Sequence, residues 1–339
     1  MTTLSASRWW SRMAALLVLA AVACVVGLLV GTESFGIGEA IRGEEPARFV
    51  ITRLRLPRVL AAMVVGGALA VCGVAFQALM RNALASPFIL GVSGGGALGA
   101  VLAILLGLDA IAVGGLRIST RPAFAFVGCL LALGVIYLIG RRRGRLVPQT
   151  LLLAGVVANA FFLAILGFLN YVASPHEARE ILRWQMGGLY SVREPELVAG
   201  AGLVLGGLLW MSTLGRALNV LSLGEETATH LGVDGEAVRR RVLVLASLLT
   251  GAAVAIAGPI GFVGLFVPHA VRLVLGPDHR LLLPASFLAG GAFLGLADVL
   301  ARVVAGPSEL PVGLITAAIG APTFILLLVR ARHRAGGVS

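Results

Sequence analysis

The sequence predicts an all-α, polytopic membrane protein of about ten spans, and three observations predict it. The 339 residues are 58% hydrophobic and 13% charged, with a mean hydropathy of +0.98; a soluble domain carries about a quarter charged residues. Near-continuous apolar stretches of roughly 17–25 residues fill most of the chain, the length a bilayer core requires of a helix. The 27 basic residues are all arginine and fall mainly between those stretches, where they read as topology signals. Hydrocarbon offers the backbone no water, so each span must satisfy its own N–H and C=O groups as a helix.

In chain order, Arg8 and Arg12 precede the first apolar run, Met13 to Val30, which is expected to be retained as a span. A polar segment from Thr32 to Arg55 follows, with Glu33, Glu39, Glu44, Glu45 and four arginines. Further spans are expected at Pro57–Met80, Phe88–Leu106, Pro122–Gly140, Leu146–Tyr171, Pro195–Thr213, Val242–Ala257, Gly261–Leu275, Leu281–Leu300 and Leu310–Val329. An even number of spans puts both termini on one side. With the N-terminus in the cytoplasm, sixteen of the arginines and five of the sixteen acids lie inside, so the inner face carries the whole net charge of +11. The 45 glycines include repeats at Gly91/Gly95/Gly99, Gly202/Gly206 and Gly291/Gly295, the small-residue spacing that lets membrane helices approach closely.

Composition also excludes chemistry. There is no lysine, which rules out a P-loop ATPase and any Schiff-base or pyridoxal mechanism in this chain. Cys24, Cys72 and Cys129 lie far apart inside apolar stretches, with no zinc or disulfide pattern, and no metal site or cofactor is expected. A pI near 11.3 does not imply nucleic acid when the arginines are scattered between spans.

Four constellations stand out. Gly91-Val92-Ser93-Gly94-Gly95 is a formal G-x-S-x-G, which in a membrane would suggest a rhomboid-like serine protease using Ser93; the plainer reading is a serine capping a glycine-rich helix start, with no catalytic residues. Asp298 and Arg302, four apart, read as a local salt bridge, and the otherwise uncharged span interiors argue against ion-coupled transport. Arg53, Arg55 and Arg58 cluster on the outer side, against the positive-inside tendency, and read as lipid-phosphate contacts or as a docking surface for an acidic partner. The segment 216–236 is too polar to span; Leu218, Leu221, Ala228, Leu231 and Val233 give it an apolar side, and two short helices broken at Gly224 would suit a partner's groove.

Several motifs taken together resemble the FecCD family of ABC importer permeases, which carry iron chelates and vitamin B12. They are Arg55-Leu56-Pro57-Arg58, the run Gln77 to Ala85, Ser86-Pro87 through Ser93, and Trp184-Gln185-Met186-Gly187-Gly188. Others are Leu223-Gly224-Glu225 with Leu231-Gly232-Val233, Gly258 to Gly264, Pro268-His269, Asp278-His279-Arg280, Asp298 with Arg302, and Glu309 to Gly313 with Gly320-Ala321-Pro322. The match runs through nearly the whole chain in order. Two departures are Ala83, where the family usually has proline, and Gly96 in place of alanine.

The resemblance implies a single permease domain over residues 1–339 with the type II importer fold, in the cell inner (cytoplasmic) membrane and among its lipids. It implies a homodimer served by two separate cytoplasmic ATPases and a periplasmic or lipid-anchored binding protein, with no nucleic acid. Arg55, Arg58 and Arg302 match the arginines that dock the binding protein. Leu223, Gly224, Glu225, Ala228, Leu231 and Gly232 fall in the ATPase-coupling loop. The fifth and tenth spans would line an axial path, with Pro148 and Gln149 at its gate and Asn159 and Thr316 on its wall. The expected cargo is a ferric siderophore or haem, with cobalamin as the alternative.

Overall fold

The structure, a computed structural model, describes residues 6–31, 38–39, 42–108, 110–113, 116–142, 145–190, 192–306 and 308–336. Glu33 and Arg143 lie outside the described residues. In chain order the helices are α1 (Ala6–Leu29), α2 (Leu56–Met80), α3 (Val92–Leu105), α4 (Thr120–Gly140), α5 (Pro148–Val172), α6 (Pro175–Gln185), α7 (Glu194–Thr213), α8 (Gly215–Ser222), α9 (Glu225–His230), α10 (Gly235–Ala257), α11 (Val263–Leu275), α12 (His279–Val303) and α13 (Val312–Gly336). A short helix, Ala47–Phe49, and a π-helical turn, Val50–Arg55, lead into α2. Two antiparallel hairpins sit in connectors: β1 (Ala110–Val113) with β2 (Leu116–Ser119), and β3 (Arg141–Arg142) with β4 (Arg145–Leu146).

Among the described residues, seven helices are long and apolar enough to cross a membrane: α1, α2 with its lead-in, α4, α5, α7, α10 and α12. The shorter apolar helices are α3, α11 and the stretch Val312–Leu326 of α13, so each predicted span has a helix. Boundaries moved where capping chemistry decides them. The third span starts at Val92 because Gly91 takes a left-handed conformation (φ +75°) that closes the preceding turn. The seventh starts at Gly235, because the Asp234 carboxylate accepts hydrogen bonds from the Glu236 and Ala237 N–H groups, 3.0 Å each. Helix α6 was not anticipated, although its signal is in the sequence: Ser174 and Glu177 form a capping box around Pro175.

The buried centre is α2, which packs against α10, α11 and α12, while α1, α5 and α7 turn large apolar side chains such as Leu17, Phe161 and Trp210 outward. Close backbone approach builds this centre. A Cβ at Gly66 would lie 2.2 Å from the Gly290 carbonyl, and one at Gly73 would lie 1.8 Å from that of Gly264. Gly95 and Gly99 seat α3 on α4 in the same way, as their spacing predicts, whereas Gly202 and Gly206 face open space and pack nothing.

Candidate functional site

Among the described residues, the buried charges gather near the two ends of α2, around Asp298 at one and at Arg239 at the other. The buried Arg58, in the first turn of α2, and the exposed Arg81, just past its last, stand 23 residues apart, which at 1.5 Å per residue is about 35 Å. That separation matches a bilayer core of about 30 Å.

At the first end, Asp298 of α12 is the hub. Arg58 Nε donates to both its carboxylate oxygens, at 2.8 and 3.0 Å, and Arg302 Nε lies 3.2 Å away. Arg58 Nη1 reaches on to Glu309, in the connector before α13, at 2.6 Å. The other guanidiniums cap α1: Arg302 Nη2 donates to the Gly27 carbonyl at 3.0 Å, and Arg55 Nη1 to those of Leu28 and Leu29 at 2.9 Å each. A helix C-terminus presents unpaired carbonyls and partial negative charge, so cations there are stabilising. The local Asp298–Arg302 bridge is therefore present, and a partner 240 residues away in the chain shares it.

The three arginines expected to dock a binding protein are enclosed in this placement. Arg55, Arg58 and Arg302 are 6%, 7% and 4% exposed, because α1 and the Glu309 connector cover them. The exposed arginine of the group is Arg53, paired with Glu194 at 3.1 Å. Two buried guanidinium nitrogens, Arg58 Nη2 and Arg302 Nη1, have no hydrogen-bond partner.

At the other end lies the segment 216–236, which forms the two expected helices, α8 and α9, parted at Gly224 (φ +128°). Leu218, Leu221 and Ala228 are buried, whereas Leu231, expected on the same apolar side, is 60% exposed and Leu223 is 55% exposed. After α9, the Val233 N–H returns to the Ala228 carbonyl across Gly232 (φ +73°), a turn that leaves the Leu231 side chain outside.

Polar bonds clasp this segment to three spans. Arg81, itself left-handed (φ +48°), donates to the Leu221 carbonyl at 2.9 Å. Asn219 Nδ2 donates to Asp278 at 2.7 Å, and its Oδ1 accepts from the His279 N–H at 2.9 Å. Glu225 pairs with Arg239 of α10. The Asp278 carboxyl, outside the span, is pulled down to about 2, first by the hydrogen bond from the Arg280 guanidinium, with the Asn219 amide adding to it.

The path residues divide. Gln149 is exposed and Pro148 half-buried at the start of α5, and Asn159 is half-buried beside Gly91 and Gly94, whose missing side chains let α5 approach. Thr316 is fully buried and its hydroxyl donates to the Gly313 carbonyl at 3.0 Å, so it is internal packing and not an exposed wall group. Ser93 is buried in the first turn of α3, where the plainer reading placed it. Among the described residues no cluster of His, Cys, Asp or Glu could hold a metal ion.

Sequence reasoning missed Asp298 as a hub, and with it Glu309, Asn219, Glu236 and Arg239. An ionisable residue inside an apolar span is itself a signal, but its partners come from distant segments. The Trp184–Gly188 motif also has a structural reason: the Gly188 N–H donates to the Ala257 carbonyl at 2.8 Å, and a Cβ at Gly313 would lie 2.0 Å from the Met186 carbonyl. The motif is thus a junction between α6, the end of α10 and the start of α13.

The chain is similar to known proteins in sequence and in fold. The FecCD transport family profile matches residues 17–330. The chain is 46% identical over 284 residues to the cobalamin import system permease BtuC of Halobacterium salinarum, covering 84% of this chain and 74% of that one. It is 41% identical over 285 residues to the hemin transport system permease HmuU of Yersinia pestis, covering 84% of each. A solved inward-facing structure of a metal-chelate type ABC transporter superposes with a TM-score of 0.82 at 31% identity, over 95% of this chain and 99% of the other. With the matching profile spanning almost every helix described, the chain belongs to the FecCD transport family and is an ABC importer permease.

Proposed function

We propose that this permease carries an iron chelate, a ferric siderophore or haem, across the inner membrane. It works as a homodimer with two separate ATPase subunits, and receives its cargo from a periplasmic or lipid-anchored binding protein. The observation that carries the reading is the pairing of one buried ionic end with one clasped amphipathic end, about 35 Å apart on α2. In this reading the Glu225 end is cytoplasmic and meets the ATPase through Leu223, Gly224, Glu225, Leu231 and Gly232, with Ala228 as its buried anchor. The Asp298 end is outer. Arg55, Arg58 and Arg302 hold the shape of the face that the binding protein meets, and exposed groups beside them, such as Arg53, make the contact.

The chain itself does no covalent chemistry. Nucleotide binding in the partner subunits favours one of two arrangements of the spans, and cargo shifts that equilibrium only through its differential affinity for the two. The hemin and metal-chelate relatives support an iron chelate. Cobalamin is the second reading, favoured by the 46% identical relative. Proteoliposomes containing the permease, its ATPase and its binding protein, offered labelled ferric siderophore, haem and cobalamin, separate them. ATP-dependent accumulation of an iron chelate is expected. Accumulation of cobalamin alone would replace the cargo, and ATP hydrolysis with no uptake of any of the three would overturn the import reading for these ligands.

A further inference from the structure

A second set of ionic contacts at the Glu225 end joins elements that neither hydropathy nor motif spacing relates. Glu236, in the first turn of α10, accepts the Leu146 N–H with both carboxylate oxygens, at 3.1 and 3.0 Å. Leu146 ends the β3–β4 hairpin, two residues before Pro148 opens α5, and its own side chain is buried. One turn along α10, Arg239 is 6% exposed and lies between two carboxylates: its Nη2 bonds Glu225, the first residue of α9, and its Nη1 is 3.8 Å from Glu236. The Arg239 Nε is buried without a partner, so the guanidinium depends on those two carboxylates to compensate its burial.

We propose that Glu236 and Arg239 are positioning residues that transmit movement of the Gly224–Leu231 segment to the start of α5. The inference rests on the reading of that segment as the ATPase contact. The chain of contacts runs from the Glu225 carboxylate through the Arg239 guanidinium and the Glu236 carboxylate to the Leu146 backbone. The first member is exposed on α9, and the last is continuous with the helix that carries Gln149 and Asn159. Displacing α9 away from α10 would strand a buried cation, which is costly, so α9, α10 and the start of α5 move together. The Arg239–Glu225 and Glu236–Leu146 members are charge-assisted hydrogen bonds, whose directional geometry resists stretching better than apolar contact, and the 3.8 Å Arg239–Glu236 pair joins them by charge attraction.

The test uses the whole complex of permease, ATPase and binding protein in proteoliposomes, with a spin label on an introduced cysteine at Gln149 in each copy. In the wild type, trapping nucleotide is expected to change the distance between the two labels. Arg239→Gln and Glu236→Ala should keep ATP hydrolysis within about twofold while uptake per ATP falls at least tenfold and the nucleotide-dependent distance change disappears. Glu236→Gln keeps an acceptor for the Leu146 N–H but loses the charge opposite Arg239, and should fall between. A merely structural role would lower hydrolysis, uptake and thermal stability in proportion and leave uptake per ATP unchanged, which overturns the proposal. So does a wild-type distance change in the folded Glu236→Gln complex. If the wild-type complex hydrolyses ATP and its labels never move, the coupling reading itself fails, independently of the two residues.

Discussion

At one end of α2, Arg58 is enclosed by Asp298, Glu309 and the covering end of α1; at the other, Arg81 and Arg239 edge a segment in which Leu223 and Leu231 stand in the open. The residue types are the same and the physical situations differ. Around Asp298 the cations are desolvated, so their value lies in mutual compensation and defined geometry more than in net attraction. Around α8 and α9 the polar bonds tether a short helical pair to α2, α10 and α12, while Leu223 and Leu231 keep apolar surface outside. The first arrangement holds a shape. The second holds a short helical pair against three spans and leaves it an exposed apolar face, and exposed apolar groups rimmed by charge mark interaction surfaces.

That contrast can be broken by experiment. The largest effect is expected from Asp298→Ala, which leaves Arg58 and Arg302 buried without their shared carboxylate; the loss should be about 3–5 kcal/mol, read as a collapse of the thermal unfolding temperature or of folded yield. A stability near wild type would mean that the Asp298 end is wet and its network incidental.

A smaller effect belongs to Asp278. Its carboxyl titrates at about 2 in the fold, below the ordinary carboxylate range, because Arg280 and Asn219 hydrogen-bond the charged form. A depressed pKa contributes stability that is fully present above the ordinary value and is lost as pH falls through about 2. Unfolding midpoints measured from pH 5 to pH 2 should therefore fall less steeply in Asp278→Asn than in the wild type. Equal slopes would show that the clasp between α8 and α12 carries no charge.

The smallest effect on stability is expected from Leu223→Ser with Leu231→Ser, within about 0.5 kcal/mol, because both side chains are more than half exposed. The same pair should weaken co-purification of the ATPase subunit. A large loss of stability would mean that these leucines pack inside the permease's own dimer, and the distinction between the two ends would narrow.

Much of this was legible in the chain itself. Hydropathy and length located the spans because a bilayer imposes its thickness on each helix separately. Gly224 announced the break between α8 and α9, and Asp298 with Arg302 announced a bridge, because both are local features within one turn or one helix. The capping box at Ser174, which starts α6, is equally local. The burial of Arg55 and Arg58 was not legible, since a cluster of arginines beside a span has the same sequence whether α1 covers it or water does. Thr316 illustrates the same limit: a hydroxyl in an apolar helix looks like a wall group until the helix is rotated into its packing, where the hydroxyl bonds Gly313.

By itself, then, the sequence determined the membrane class, the order of the spans, the two short helices of segment 216–236 and, through its motifs, the family. Tertiary structure alone decided which arginines are buried, that Asp298 serves two of them, and that Glu236 ties α10 to the start of α5. The reason is physical. Apolar length and helix caps act within a few residues, whereas desolvation and ion pairing depend on neighbours as far as 251 positions away, which only the folded chain brings within 3 Å.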